Sequence, residues 1–235
     1  MRVLFNGLQA GNRSGTGRYT VELLRALGER TDGTELTVMW PRALPRPVEA
    51  ENVRYQECDV HGIRRLCLDQ FGVRRLARDA AADVIHYPAS VGPLMSVPGM
   101  VLTIHDLSFL RHPEWFAPSR ARYYRHAVAR SARKAARVLV DSRATADDVV
   151  ALLGIPEDRV DVAHLGVSPR FEPSPEDTPA LRAKYGLPER FFLYMGTLEP
   201  RKNLVRLVET YARVAGGLEQ HLVLAGRWGL SLIHI

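Results

Sequence analysis

Cysteine is scarce in this chain: Cys58 and Cys67 are the only two in 235 residues. They form no CxxC pair and stand at no Cys/His spacing typical of zinc sites, so the sequence predicts neither a disulfide framework nor structural zinc. Because disulfides mark oxidising compartments, a reducing one is favoured. No apolar run is long enough to cross a bilayer, and the apolar N-terminal segment, residues 3–5, is too short for a signal peptide. We therefore predict a cytoplasmic protein.

Acidic residues are in the minority, with 26 Asp and Glu against 32 Lys and Arg, which gives a formal net charge of +6. This excess predicts an anionic partner, and nucleic acid, a lipid headgroup surface and a nucleotide substrate all qualify. The hydrophobic fraction of 46% is that of an ordinary globular chain and excludes a disordered one. At this length the chain can hold one large or two small domains.

Apolar runs of strand length alternate with segments of helical periodicity along most of the chain. Strands are predicted at residues 3–5, 36–40, 53–56, 83–87, 100–105, 138–140, 160–163, 191–195 and 221–225. Helices are predicted at residues 19–28, 63–80 with an interruption at Gly72, 118–136, 142–153, 178–185 and 204–211. Strands separated by helices indicate crossover units, so we predict the α/β class with a mainly parallel, Rossmann-like sheet.

Prolines are concentrated between Pro169 and Pro188, a composition typical of an interdomain linker. We therefore predict a Rossmann-like lobe over residues 1–168, a linker over 169–190 and a second Rossmann-like lobe from 191 onward. Residues 191–235 are too few for a whole lobe of this kind, so we expect the chain to hold only its start.

A glycine pair, Gly15 and Gly17, stands between the first predicted strand and the first predicted helix. Glycines there let the backbone approach a ligand, and a helix N-terminus favours an anion. A tight strand-to-helix turn that binds nothing is the alternative. The pair is not the dinucleotide fingerprint GxGxxG, because Thr20 stands where the third glycine belongs, and this counts against a nicotinamide enzyme.

His105 leaves the carboxyl end of a predicted strand, with Asp106 next to it. Ligands of parallel α/β sheets bind outside that edge, and an imidazole can hydrogen-bond sugar hydroxyls or move a proton. A histidine satisfied by backbone groups is the alternative. His86 ends another strand, but Pro88 follows closely and favours a structural role.

The segment from Pro118 to Arg137 is basic throughout and contains no acidic residue. Five of its arginines recur at helical spacing and are called the arginine stripe: Arg122, Arg125, Arg130, Arg133 and Arg137. A basic amphipathic helix can lie on an anionic membrane, whereas the solvated face of an ordinary packed helix is the alternative. Nucleic-acid binding lacks the interleaved aromatic residues that stack on bases, so none is expected.

The stretch from Gly196 to Asn203 reads GTLEPRKN and stands between a predicted strand and a predicted helix. Arg201 and Lys202 follow a turn that contains Gly196 and Pro200, and the helix begins at once. Guanidinium, ammonium and helix N-terminal N–H groups all favour an anion, so the stretch predicts a phosphate-binding turn. A solvated surface Arg-Lys pair is the alternative.

Together these motifs resemble those of the retaining, nucleotide-sugar-dependent glycosyltransferases of family 4, which have the GT-B fold, and bacterial mannosyltransferases among them. The resemblance runs from Met1 to about Gly229. It is carried by GTGRYT at 15–20, TIHD at 103–106, DSRAT at 141–145, HLGV at 164–167 and GTLEPRKN at 196–203.

The resemblance implies two lobes that face each other across a cleft. By it, Gly15 and Gly17 would approach the donor diphosphate or sugar. His105 would contact the donor sugar as a catalytic residue. Arg201 and Lys202 would grip the diphosphate, with Gly196 and Thr197 in the same turn. Many members of the family have Arg where this chain has Thr197.

The implied reaction moves a hexose, mannose by this resemblance, from a nucleotide-sugar donor to a glycan or lipid-linked acceptor with retention, in cell-surface polysaccharide synthesis. Fixed cations stabilise the diphosphate as negative charge grows on it, so neither a metal nor another cofactor is expected. The family's second lobe continues with further βα units and an acidic EGFG-type segment that this sequence does not contain. We therefore expect a fragment with little activity of its own and a foreign tail over 230–235. The alternative function is a non-catalytic sugar-nucleotide-binding or regulatory module.

Overall fold

The computed structural model describes residues 1–12, 14–58, 68–93, 95–168, 171–172 and 178–228. The chain divides into two compact units, Met1–Gly166 and Val167–Ile235. They are called unit 1 and unit 2, and each is described by itself.

The described residues of unit 1 form a parallel sheet of seven strands in the order β3-β2-β1-β4-β5-β6-β7. The strands are β1 (Arg2–Asn6), β2 (Glu35–Pro41), β3 (Val53–Cys58), β4 (Val84–Tyr87), β5 (Met100–Ile104), β6 (Arg137–Val140) and β7 (Val160–Val162). The chain leaves β1 toward β3 and then returns to the other side of β1, so the strand order reverses between β1 and β4. Ligands of such sheets bind at the carboxyl edge near this reversal. The predicted α/β class with a Rossmann-like parallel sheet is confirmed.

Five α-helices connect the described strands of unit 1: α1 (Gly15–Gly28), α2 (Val73–Asp79), α3 (Ser108–Arg111), α4 (Pro118–Lys134) and α5 (Arg143–Leu153). The predicted helix over 63–80 lies outside the described residues before Leu68, and a π-helical turn changes into α2 at Gly72, where an interruption was predicted. Ser142 begins α5 by accepting a hydrogen bond from the Thr145 N–H, and Gly154 ends it in the left-handed conformation at φ 66°. Among the helices of the described residues, none combines the length and the apolar character needed to cross a bilayer.

Both faces of the unit 1 sheet are covered by apolar side chains. Successive side chains of a strand point to opposite faces. In β1, Leu4 accordingly belongs to a core cluster with Met100 and Val138, while Phe5 belongs to a second cluster with Trp40. Burial on both faces is characteristic of parallel sheets, whose crossover helices lie on either side.

Unit 2 contains α6 (Thr178–Tyr185), β8 (Phe191–Met195), α7 (Leu204–Val214) and β9 (His221–Ala225). β8 and β9 pair in parallel, with Leu193 opposite Val223, so α7 is their crossover helix. The backbones of Gly196 and Gly226 meet just beyond the paired strands, and a Cβ on Gly226 would lie 1.7 Å from the Gly196 carbonyl oxygen. A side chain at Gly226 is therefore excluded. The predicted linker over 169–190 is described only at 171–172 and from Thr178, where α6 matches the helix predicted there.

Candidate functional site

The carboxyl edge of the unit 1 sheet brings a histidine and a carboxylate together. His105 directly follows β5 and Asp141 directly follows β6, and the two strands end side by side, with Ile104 opposite Val140. The His105 Nδ1 atom is 2.7 Å from the Asp141 Oδ2 atom, and each side chain is only 19% exposed. The sequence predicted His105 at this edge but not its partner. The same argument could have found Asp141, because it follows the next predicted strand.

The rest of the imidazole is also in contact with unit 1. Its Nε2 atom is 3.3 Å from the carbonyl oxygen of Pro88, which follows β4. Tyr19 of α1 packs its ring against the imidazole at a centroid distance of 4.7 Å and an interplanar angle of 83°. One nitrogen of His105 thus faces a backbone carbonyl oxygen and the other a carboxylate, and both of these groups are acceptors. Backbone satisfaction alone does not account for this residue.

A second histidine lies close to the first. His86 of β4 is buried, and its Nε2 atom is 2.9 Å from the Thr103 Oγ1 atom. The Thr103 hydroxyl is in turn 3.3 Å from the Tyr19 hydroxyl, and Phe5 packs edge-on against the His86 ring at 5.6 Å. Burial, and secondarily the charge of His105, lowers the pKa of His86 from 6.5 to about 4. A neutral His86 that joins β4 to β5 is consistent with the structural role predicted for it.

This lowered pKa makes the stability of unit 1 depend on pH. The unfolded chain binds the His86 proton below about pH 6.5, whereas the folded chain resists it down to a pKa of about 4. His86 therefore makes its whole contribution to the free energy of unfolding above pH 6.5. This free energy decreases by about 3 kcal/mol in all as the pH falls from 6.5 to about 4. We expect the urea midpoint of His86→Gln to change less than that of the wild type between about pH 7 and about pH 4.5. His126→Gln, at an exposed histidine of α4, is the control, and an unchanged slope in His86→Gln would contradict the assignment.

The glycine pair lies inside α1, not in a loop before it. The helix begins at Gly15, whereas the sequence predicted its start near Tyr19. The two glycines differ in their surroundings: a Cβ on Gly17 would lie 1.9 Å from the Asn12 carbonyl oxygen, but no described atom lies within 4 Å of one on Gly15. The fold therefore requires Gly17. Gly15 leaves open space at a helix N-terminus, where first-turn N–H groups lack partners within the helix and favour an anion.

The predicted phosphate-binding turn of unit 2 contains a short 3₁₀ helix, Pro200–Lys202, and then Asn203 in the left-handed conformation at φ 54°. The Arg201 Nε atom is 2.6 Å from the Glu199 Oε1 atom. Lys202 is exposed and, within the described residues, makes no ion pair. The two cations are therefore not equivalent, because Glu199 partly neutralises Arg201 and leaves the charge of Lys202 uncompensated.

Hydrogen bonds to the backbone hold the start of the same turn, at Gly196 and Thr197. The Gly196 N–H donates to the Ala225 carbonyl oxygen at 2.9 Å, and the Tyr194 hydroxyl donates to the Thr197 carbonyl oxygen at 3.0 Å. These bonds fix the backbone that precedes Arg201 and Lys202. Gly196 and Thr197 therefore position the turn through their backbone groups.

The arginine stripe is shorter than predicted. α4 ends at Lys134, and Arg137 lies in β6, where its guanidinium pairs with the Asp161 carboxylate. The opposite side of α4 is packed on the core through buried Ala121, Val128 and Ala132. The remaining stripe residues are exposed and border two shallow hollows on the surface, of about 470 Å³ and about 670 Å³. Among all described residues, no group of three or more His, Cys, Asp or Glu side chains is placed to hold a metal ion.

The sequence model of Glycosyltransferase Family 4 matches residues 13–171. The O-antigen chain mannosyltransferase B of Escherichia coli is 28% identical over 217 residues, which cover 84% of this chain and 56% of that protein. The serotype-specific mannosyltransferase WbdA of Escherichia coli is 31% identical over 140 residues, which cover 57% of this chain and 17% of that protein. The chain thus spans just over half the length of the first of these relatives.

Solved structures share the fold. The crystal structure of Anabaena Alr3699/HepE in complex with UDP and glucose gives a TM-score of 0.63 at 16% identity and covers 98% of this chain and 62% of that one. WaaG, a glycosyltransferase involved in lipopolysaccharide biosynthesis, gives 0.61 at 16% identity and covers 97% of this chain and 64% of that one. At such identities the likeness shows the fold alone.

Proposed function

This chain belongs to Glycosyltransferase Family 4, and from that premise we propose that it transfers a hexose from a nucleotide-sugar donor to a glycan or lipid-linked acceptor. The observation that carries the proposal is the family match over residues 13–171, because it includes the His105–Asp141 pair at the carboxyl edge of the sheet. The names of the relatives favour mannose as the sugar and cell-surface polysaccharide as the product. Retention is the stereochemical course that the family resemblance implies.

Each candidate residue has a chemical role in this proposal. The imidazole of His105 hydrogen-bonds a hydroxyl group of the donor sugar, and the N–H groups at the open N-terminus of α1, at Gly15, donate to a phosphate or sugar oxygen. The turn with Arg201 and Lys202 binds the diphosphate. UDP and glucose accompany one neighbour of the same fold and UDP-glucose another, which supports a nucleoside diphosphate sugar as the donor class.

The chemistry requires charge stabilisation at the diphosphate. Cleavage of the bond between the anomeric carbon and phosphate leaves negative charge on the departing group. A cation fixed nearby stabilises the transition state more than the bound donor, because the charge grows along the reaction. Lys202, which is exposed and unpaired within the described residues, is the side chain we assign to this role. No metal ion or other cofactor takes part in the proposed reaction.

Binding and turnover test the proposal in two steps. Calorimetry with GDP-sugars and UDP-sugars should show that one nucleotide class binds this chain and that the matching diphosphate competes. An assay for transfer or hydrolysis of the bound sugar then distinguishes a transferase from a non-catalytic sugar-nucleotide-binding or regulatory module. Failure of every nucleotide sugar and every diphosphate to bind would overturn the proposal.

We also propose that α4 contacts an anionic membrane from the cytoplasmic side, where a lipid-linked acceptor would lie. The exposed arginines of α4 support this, since each basic residue near such a surface contributes about 1 kcal/mol of attraction. Replacing Arg122, Arg125, Arg130 and Arg133 together by glutamine should abolish co-sedimentation with vesicles that contain anionic lipid. Arg137→Gln, at an arginine already paired with Asp161, is the matched control. Undiminished co-sedimentation of the fourfold variant would show that α4 has only a solvated face.

A further inference from the structure

We propose that Asp141 is a positioning residue for His105: its carboxylate keeps a proton on the Nδ1 atom of His105, and the Nε2 atom is thereby presented to the donor sugar. The proposal rests on the proposed function for its ligand, but the proton position can be tested without any ligand. In the sequence, Asp141 is only the first residue of the DSRAT stretch at 141–145, and no role was assigned to it there.

The first step concerns Nδ1. An ionised carboxylate only accepts hydrogen bonds, so a ring nitrogen 2.7 Å from the Asp141 Oδ2 atom must donate. This distance is typical of a charge-assisted hydrogen bond, and the low exposure of both side chains limits competition from water. Nδ1 therefore carries a proton and donates it in a hydrogen bond to Asp141.

The second step concerns how Asp141 is itself held. It directly follows β6, and its backbone carbonyl oxygen is 3.2 Å from the Nδ1 atom of His164. The next residue, Ser142, caps α5 through the Thr145 N–H at 3.2 Å. The carboxylate therefore projects from a backbone fixed on both sides, which a positioning residue requires.

The third step concerns Nε2. It lies 3.3 Å from the Pro88 carbonyl oxygen, which can only accept, so a ring that is protonated on Nδ1 alone makes no hydrogen bond there. The edge-on ring of Tyr19 restricts rotation of the imidazole, so the ring cannot exchange its two nitrogens freely. The unprotonated Nε2 atom is therefore left to accept a hydrogen bond from a hydroxyl group of the donor sugar, and His105 acts on the sugar through Nε2.

The fourth step concerns charge. The titratable groups that face His105 from neighbouring elements are Asp141, Tyr19 of α1 and His86 of β4. Burial raises the pKa of Tyr19, and burial lowers the pKa of His86, so both are neutral near pH 7. A carboxylate at Asp141 therefore faces a hydrogen-bond donor on His105 without a competing charge from Tyr19 or His86.

The test compares two substitutions of Asp141 with one of Asp148. Asp148 is a matched control because its carboxylate is 18% exposed, lies on α5 and pairs with the Arg111 guanidinium. Nitrogen-15 NMR of the His105 ring reads the position of the proton in the ligand-free chain. We expect a protonated Nδ1 in the wild type and in Asp148→Asn, and loss of this fixed position in Asp141→Ala. The isosteric Asp141→Asn keeps the shape of the side chain and with it the fold. Loss of the fixed proton position in this variant as well would therefore be due to the lost carboxylate and not to unfolding.

Calorimetry supplies the second measurement. Asp141→Ala should bind a nucleotide sugar roughly tenfold more weakly, as expected for one charged hydrogen bond, while affinity for the corresponding diphosphate is unchanged. An unaltered NMR signature in Asp141→Ala would overturn the positioning role. An altered signature with equal loss for sugar nucleotide and diphosphate would overturn the assignment of Nε2 to the sugar. If no nucleotide sugar binds the wild type, the proposed function fails, and the NMR result still decides whether Asp141 positions His105.

Discussion

Replacing Lys202 by alanine is expected to weaken binding of the nucleoside diphosphate sugar by roughly tenfold to a hundredfold. A hydrogen bond from an ammonium group to a phosphate is charge-assisted and contributes about 1.5–3 kcal/mol, which corresponds to this range. Lys202 is exposed and unpaired within the described residues, so its removal should change the free energy of unfolding by less than about 0.5 kcal/mol. Calorimetry and urea unfolding of the same sample separate the two effects. Lys184→Ala, at an exposed lysine of α6 that lies over the Tyr185 ring, is the control for binding and should leave the affinity unchanged.

Arg201→Ala is expected to cost less affinity than Lys202→Ala, because Glu199 already pairs with the Arg201 guanidinium. A phosphate that binds Arg201 has to compete with this carboxylate. Removing the competition in Glu199→Gln should therefore strengthen diphosphate binding, and the gain should disappear in the double variant Glu199→Gln/Arg201→Ala. A larger loss in Arg201→Ala than in Lys202→Ala would show that the pair opens on binding and that Arg201 is the principal cation.

The α/β architecture could be predicted because its strands are short apolar runs that end in clear breaks. Strands β4 and β5 are bounded by Pro88 and by the polar residues after Ile104, and both were predicted within one residue of their ends. The short helix α3, Ser108–Arg111, was not predicted. Four residues are too few to show helical periodicity. Arg111 of this helix pairs with Asp148 of α5, and such a tertiary contact is not visible in the local sequence.

The arginine stripe shows where periodicity misleads. The spacing that places Arg122 to Arg133 on one side of α4 continues to Arg137, but the helix ends at Lys134. Ala135 already has an extended backbone, because β6 must begin in register with β5. Position 137 then points its side chain toward Asp161 of β7 instead of continuing the stripe. Pairing between strands, which the local sequence does not encode, overrode the helical pattern.

The candidate site was predicted in its location but not in its partners. His105 could be placed at the site because ligands of parallel sheets bind at the carboxyl ends of the strands, and this rule can be applied to the sequence alone. Contacts with Asp141, Pro88 and Tyr19 depend on which strands and helices are neighbours, and this order is set by the packing of the whole sheet. The inequality of Arg201 and Lys202 likewise depends on which of them meets Glu199 in the folded turn.

The two glycines at the start of α1 should respond to the same substitution in opposite ways. Gly17→Ala is expected to destabilise unit 1 by roughly 1–3 kcal/mol, the usual cost of overpacking. The added Cβ would lie 1.9 Å from the Asn12 carbonyl oxygen and 3.1 Å from that of Ala10, and backbone atoms cannot move aside as a flexible side chain can. Urea unfolding measures the effect, and an unchanged midpoint would show that the loop over residues 10–12 yields easily.

Gly15→Ala has no such obstacle and should leave the urea midpoint equal or slightly higher, because alanine loses less backbone entropy in a helix than glycine does. The effect of Gly15→Ala on the affinity for the nucleotide sugar can therefore be measured without interference from unfolding. If the helix N-terminus approaches a phosphate or sugar oxygen, a methyl group at residue 15 occupies the open space there and affinity for the nucleotide sugar falls. If affinity is unchanged, the glycine pair serves only the tight passage from β1 to α1, and the anion-binding role belongs to the Lys202 turn alone.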